Sequence, residues 1–247
     1  MRKQFLFTGV VIAIILFSCR KEEVGVQTIS SSSQEQVSQS NSSAERTVVN
    51  PLTVKLEGWF SFNGNLKDQT GKLADGIPTT RGVIYTKDRN GISKGALYLD
   101  SSYFVKIKAV PQQTHTSLSV WFKPSHVDNI TAGGIVMTEG KGPMVYQSGV
   151  KLSGVVSTDV SHPGAYVDIP NTGWHHAVVT FDGSNVRVYL DNVLKATVPH
   201  SASITPALVD YVIGSSSVWP YWKGSIDDLR FYSRTLSASD VTALYNL

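Results

Sequence analysis

The feature that most constrains this chain is a period-two alternation of apolar and polar residues in short segments bounded by tight-turn residues. In 117–123 (SLSVWFK), Leu118, Val120 and Phe122 alternate with Ser117, Ser119 and Trp121; in 186–191 (VRVYLD), Val186, Val188 and Leu190 alternate with Arg187, Tyr189 and Asp191. Successive side chains on a strand point to opposite faces, so each segment buries one face. Asp182-Gly183-Ser184-Asn185 and Asp191-Asn192 supply the residues that tight turns demand. Segments 174–181, 186–190 and 193–198 are therefore expected to form an antiparallel meander. A single segment reads as helix: Ser237 caps it, Asp240 completes a capping box, and Val241, Leu244 and Tyr245 share one face. It is too short to stand alone and is expected to pack against the edge of the sheets.

Residues 1–18 read as a targeting segment. Arg2 and Lys3 precede an unbroken apolar stretch from Phe5 to Phe17, shorter than the roughly 20 residues a membrane span needs. Cys19, the single cysteine of the chain, follows directly. Leu16-Phe17-Ser18-Cys19 resembles a bacterial lipobox, which implies an acylated Cys19 and a lipid anchor. Arg20-Lys21-Glu22-Glu23 is similar to the export signals of surface lipoproteins of the Bacteroidota. The expected place is the outer membrane, facing outward, with a periplasmic orientation as the alternative. The Ser-, Gln- and Asn-rich run up to Arg46 lacks the apolar surface to offset its ordering entropy, so 19–50 reads as lipidated cysteine plus flexible tether.

Residues 51–247 then form one domain without cysteine, which excludes a disulfide framework and a thiolate metal site. The chain carries 22 basic and 19 acidic residues, a net +3 that falls to +1 without Arg2 and Lys3. That balance does not point to nucleic acid.

Four stretches, in order, resemble the laminin-G-like jelly-roll family of the concanavalin A-like lectins and glucanases. They are 59–71 (WFSFNGNLKDQTG); 94–100 (KGALYLD) with the strand carrying Trp121; 173–183 (GWHHAVVTFDG) leading to Tyr189-Leu190-Asp191; and 223–237 (KGSIDDLRFYSRTLS). The resemblance implies an all-β, two-sheet antiparallel jelly-roll sandwich with a short C-terminal helix. It further implies a concave face and rim loops that hold glycans in many relatives, and in some a structural calcium ion. For such an ion Asn65, Asp68 and Asp227 are the expected donors, since calcium takes six to eight oxygens and the first and last strands would be adjacent.

The hydrolases of this superfamily carry carboxylates at alternate positions of one strand. The domain's two glutamates, Glu57 and Glu139, have no carboxylate two residues away, so the pattern a glycosidase needs is absent. Asp227 and Asp228 are adjacent and, on a regular strand, point to opposite faces. Asp227 would then share its face with Leu229 and Phe231 and need a backbone turn, an arginine or a cation as partner. His175-His176 lacks a serine or carboxylate at triad spacing and reads as structural strand. The expectation is a protein that is not an enzyme.

Sugar recognition pairs flat apolar bodies with fixed polar groups. Trp219 and Tyr221, in the turn-rich run before the terminal strand, are the first candidates, while Trp222 aligns with a core aromatic of the family. Tyr146, Tyr166 and Asp168 are the second set, on what reads as a long connection over 140–172. The expected function is a non-catalytic carbohydrate-binding or adhesion module. The alternatives are an accessory lipoprotein that binds an envelope protein and, behind it, a glycoside hydrolase or lyase.

Overall fold

The structure, a computed structural model, describes residues 50–80, 82–215 and 221–247. Cys19, the tether and Trp219 therefore lie outside the described residues. After a 3-10 turn at Pro51–Thr53 come β1 (Leu56–Phe60), β2 (Ile77–Pro78), β3 (Ile84–Thr86), β4 (Ala96–Asp100), β5 (Val105–Gln112), β6 (Thr116–Pro124), β7 (Ala132–Thr138) and β8 (Gly142–Ser148). The chain continues with β9 (Lys151–Ser157), β10 (Gly164–Asp168), β11 (His175–Phe181), β12 (Asn185–Leu190), β13 (Val193–Pro199), β14 (Ala207–Ile213), β15 (Lys223–Tyr232) and α1 (Ala238–Tyr245).

Two antiparallel sheets face each other. The first runs β13-β12-β11-β6-β15-β4-β3, with β1 also paired to β15; the second runs β10-β9-β8-β7-β14-β5-β2. Between them lies one apolar core, built from alternate residues such as Leu118, Val120 and Phe122 of β6 and Val186, Val188 and Leu190 of β12. The meander β11-β12-β13 forms as its alternation and turns require. Asp191 and Asn192 both take positive φ, 52° and 62°, the two left-handed positions a two-residue hairpin needs.

Two expectations are corrected here. First, 140–172 is not a long connection but contains β8, β9 and β10. Its Gly, Ser and Tyr content hid strands in which Val145, Leu152 and Val156 supply the core side. Second, α1 does not sit at the edge. Val241 and Leu244 pack with Val178, Tyr189 and Tyr232 on the outer face of the eight-stranded sheet, and Tyr245 stacks on Trp121 at 5.4 Å. Those outward apolar residues on three strands need cover that an edge position would not provide. The capping box is present, with Asp240 N–H donating to Ser237 Oγ and Ser237 N–H to Asp240 Oδ2. Burial would raise the Asp240 carboxyl, but Arg234 and Ser237 outweigh it and hold the group down to about 2.

The last strand carries the most consequential irregularity. β15 shifts register against β6 between Asp227 and Arg230, and Asp228 takes a φ of 50°. This bulge puts Ile226, Leu229 and Phe231 in the core and turns Asp227, Asp228 and Arg230 together toward the outer face. The expectation that the two aspartates point apart, with Asp227 beside Leu229 and Phe231, is thereby overturned.

Candidate functional site

The outer face of the seven-stranded sheet brings together three of the residues singled out by sequence. Tyr166 of β10, Ser153 of β9 and Tyr146 of β8 are cross-strand neighbours in one row. Their flanking residues Val167, Leu152 and Val145 are in the core, so the row points outward. The two phenol oxygens lie 2.8 Å apart and the rings meet edge to face at 6.1 Å. Tyr146 is buried against Met137, Met144 and Val155, and that burial pushes its phenol up. Tyr166 stays 57% exposed. One row further along, Asp168 pairs with Lys151 at 2.7 Å. The patch thus offers an exposed aromatic body, a hydroxyl relay and a carboxylate–ammonium pair on rigid strands, the combination a polar, ring-shaped ligand requires.

Tyr221 is exposed but stands elsewhere. It packs on Phe104 at 6.1 Å, at the opening of β5, three strands along the sheet from β8. Trp222 is fully buried and donates its indole N–H to Gln147 Oε1 at 2.8 Å. β7 accommodates it through Gly133, where a Cβ would lie 2.8 Å from Trp222 Cα.

The three donors expected for calcium each have partners within the protein. Asp68 Oδ1 and Oδ2 accept from the backbone N–H groups of Trp59, Thr70, Lys72 and Leu73 and from the Thr70 hydroxyl. Asn65 closes a local turn, accepting from Lys67 N–H and donating to Asn63 O. Asp227 faces a guanidinium. Among the described residues no group of three or more His, Cys, Asp or Glu is placed to hold a metal ion.

On the outer face of the other sheet, the loop 87–95 folds Arg89 over Trp121, 5.0 Å from the ring centroid. Arg89 pairs with Asp227 and lies 3.6 Å from Asp228, which also pairs with Arg230 at 3.0 Å. Arg230 in turn lies over Trp59 at 4.4 Å. The arginine expected among the partners of Asp227 is thus found in Arg89. Burial and the neighbouring Asp228 push its carboxyl up to about 7 against the pull of Arg89. Trp121 stacks on His176 at 5.0 Å, and burial followed by Arg89 holds that imidazole neutral, at about 3. His176 Nε2 lies 2.8 Å from Ser119 Oγ, and His175 Nδ1 lies 2.8 Å from Asp191 Oδ2. Sequence reasoning missed this cluster, although its signal was present. Core residues at 226, 229 and 231 break strict alternation by one position, the mark of a bulge.

A family profile described as the concanavalin A-like lectin/glucanases superfamily (Laminin_G_3) matches residues 99–242. Among solved structures, domain 4 of AbnA, a GH43 extracellular arabinanase from Geobacillus stearothermophilus in complex with arabinotriose, is similar at a TM-score of 0.63. The two are 22% identical over 77% of this chain and 98% of that one. The binding domain of botulinum neurotoxin DC is similar in its complex with rat synaptotagmin II, at a TM-score of 0.62 and 15% identity over 78% of this chain. The same domain in complex with SialylT gives 0.63 and 16% over 79%. The chain spans about half the length of these toxin domains, 51% and 52%. No curated protein matches. At these identities the solved structures establish likeness of fold, and the profile spans more than half of the sequence: the chain belongs to the concanavalin A-like lectin/glucanases superfamily.

Proposed function

We propose that this protein is a non-catalytic carbohydrate-binding module, displayed on the cell envelope through a lipid at Cys19. The observation that carries the reading is the outward row Tyr166–Ser153–Tyr146, with Asp168 and Lys151 beside it, on the open face of the seven-stranded sheet. A half-exposed tyrosine held by a second tyrosine is a preorganised platform for the apolar face of a sugar ring, and the adjoining charged pair can fix its hydroxyls. The arabinotriose complex of the arabinanase domain supports a glycan as the ligand. The self-neutralised Arg89–Asp227–Asp228–Arg230 cluster supports a role without catalysis, because both carboxylates are engaged by guanidinium groups.

Screening the purified protein on a glycan array and by polysaccharide pull-down tests this. Tyr166→Ala is expected to weaken binding about tenfold, the ~1.4 kcal/mol of one lost aromatic contact. Binding unchanged by Tyr166→Ala would remove this face as the site. EDTA is expected to leave binding unaltered. The synaptotagmin complex of the toxin domain favours a second reading, a protein partner, which gains if no glycan is retained while an envelope protein is captured. The tether has its own measurement: Cys19→Ser is expected to shift the protein from the membrane to the soluble fraction, and a membrane-bound Cys19→Ser variant would refute lipid anchoring there.

A further inference from the structure

The outer face of the eight-stranded sheet carries a groove of about 540 Å³ beside the Arg89 loop, away from the Tyr166 row. Its floor is a cross-strand row: Ser225 of β15 is the neighbour of Lys123 of β6 on one side and of Tyr98 of β4 on the other. The adjacent residues Ile226, Phe122 and Leu97 all point into the core, so this row faces outward. Trp174, just before β11, closes one side, and Lys87 and Asp88, from the loop after β3, close the other. Five separate chain segments thus converge on a concavity within the roughly 300–1,000 Å³ range of small-molecule sites.

Its charge is not balanced internally. Asp88 Oδ1 accepts from the backbone N–H groups of Asn90 and Ile92, at 2.9 and 2.8 Å, which turns that carboxylate into its own loop. Arg89 is committed to Asp227 and Asp228. Lys87 and Lys123 are exposed and form no ion pair among the described residues. The adjoining depression of about 290 Å³ differs, since its Asp227, Asp228, Arg89 and Arg230 neutralise one another. Two free ammonium groups beside an indole and a phenol match a ring that carries a negative charge, with apolar contact on the ring face and point-charge attraction at the acid.

We propose that this groove is a second glycan site, selective for acidic sugars, in which Trp174 and Tyr98 contact the ring while Lys87 and Lys123 take its carboxylate or sulfate. This deepens the carbohydrate-binding reading and rests on it for ligand class, but uses a different face of the sandwich.

The test measures binding of the full-length purified protein to polygalacturonate, dextran sulfate and unmodified dextran. Each is run at low salt and at about 1 M salt, where the Debye length falls to about 3 Å. The expected result is at least tenfold preference for an acidic polymer at low salt. A Lys87→Ala, Lys123→Ala double variant loses about tenfold of it, and Trp174→Ala loses a comparable amount that persists at high salt. Retention of polygalacturonate alone assigns the carboxylate as the group bound, and retention of dextran sulfate alone assigns the sulfate. Lys195→Ala, on β13, serves as control: a loss equal to that of the double variant would show general charge attraction and overturn the proposal. Dextran binding that depends on Tyr166, without acidic preference, overturns the groove and leaves the tyrosine face standing. Acidic binding that depends on Lys87 and Lys123 supports the groove, whatever the glycan array returns for Tyr166. Absence of binding to every polymer overturns both.

Discussion

Replacing Arg89 by alanine is expected to lower stability by about 3–5 kcal/mol at pH 8, the cost of stripping one partner from a buried ion pair, and by much less at pH 5. Asp227 is almost fully buried, and Arg89 is its partner. Asp228 keeps Arg230 in the variant, so the orphaned charge is that of Asp227. The pH dependence follows from linkage. In the fold the Asp227 carboxyl lies at about 7, above its usual 3.8. Its contribution to stability is thus fully present below the unfolded value and is lost as pH rises through 7, about 4 kcal/mol in all. Removing Arg89 takes away the one attraction among its neighbours Asp228 and Asp88, raises the carboxyl further and steepens the loss on the alkaline side.

His176 works with the same sign in this comparison. Burial and Arg89 hold it at about 3, below its usual 6.5, so its contribution is present above 6.5 and is lost as pH falls through 3. Without Arg89 that depression relaxes only in part, because burial, its first cause, remains, and the change is confined to strong acid. Urea unfolding at pH 5 and pH 8 therefore reads the Asp227 effect. An Arg89→Ala penalty of equal size at the two pH values would mean that Asp227 is not the group left unpaired.

Trp222→Ala is expected to be at least as damaging. Its fully buried indole leaves a cavity worth about 3–5 kcal/mol. Its N–H also satisfies Gln147 Oε1, and Gln147, itself fully buried, donates to His126 O at 2.9 Å and Gly149 O at 3.0 Å. The truncation therefore also strands a buried acceptor, at about 1–3 kcal/mol. Trp222→Phe separates the contributions, because it keeps most of the volume and loses only the hydrogen bond. The expected order is wild type, then Phe lower by about 1–3 kcal/mol, then Ala lowest, from denaturant midpoints with unchanged slope. A phenylalanine variant as unstable as the alanine one would place the energy in the hydrogen bond rather than the cavity.

Local pattern alone determined a good part of this protein. Leu118, Val120 and Phe122, and Val186, Val188 and Leu190, face the core because period two admits one buried face. Asp191-Asn192 turns the chain because those residues tolerate positive φ, and Ser237 starts the helix because its hydroxyl can take an unpaired amide. Each of these depends on residues within a few positions of one another, which is why they were legible. The strands of 140–172 were less so, since Gly and Ser weaken the pattern and only pairing across β8, β9 and β10 shows Tyr146 and Tyr166 in contact.

What tertiary structure decided is where side chains from distant segments meet. Arg89 reaches Asp227 across 138 positions of sequence, and the bulge that turns Asp227 and Asp228 to one face depends on how β15 registers against β6. Strand order likewise sets Tyr221 against Phe104, apart from the Tyr166 row, and the outward apolar residues Val178, Tyr189 and Tyr232 draw α1 over the sheet face. A sequence states which residues alternate; long-range strand register decides which of them share a row, and every candidate site on this fold is built from such rows.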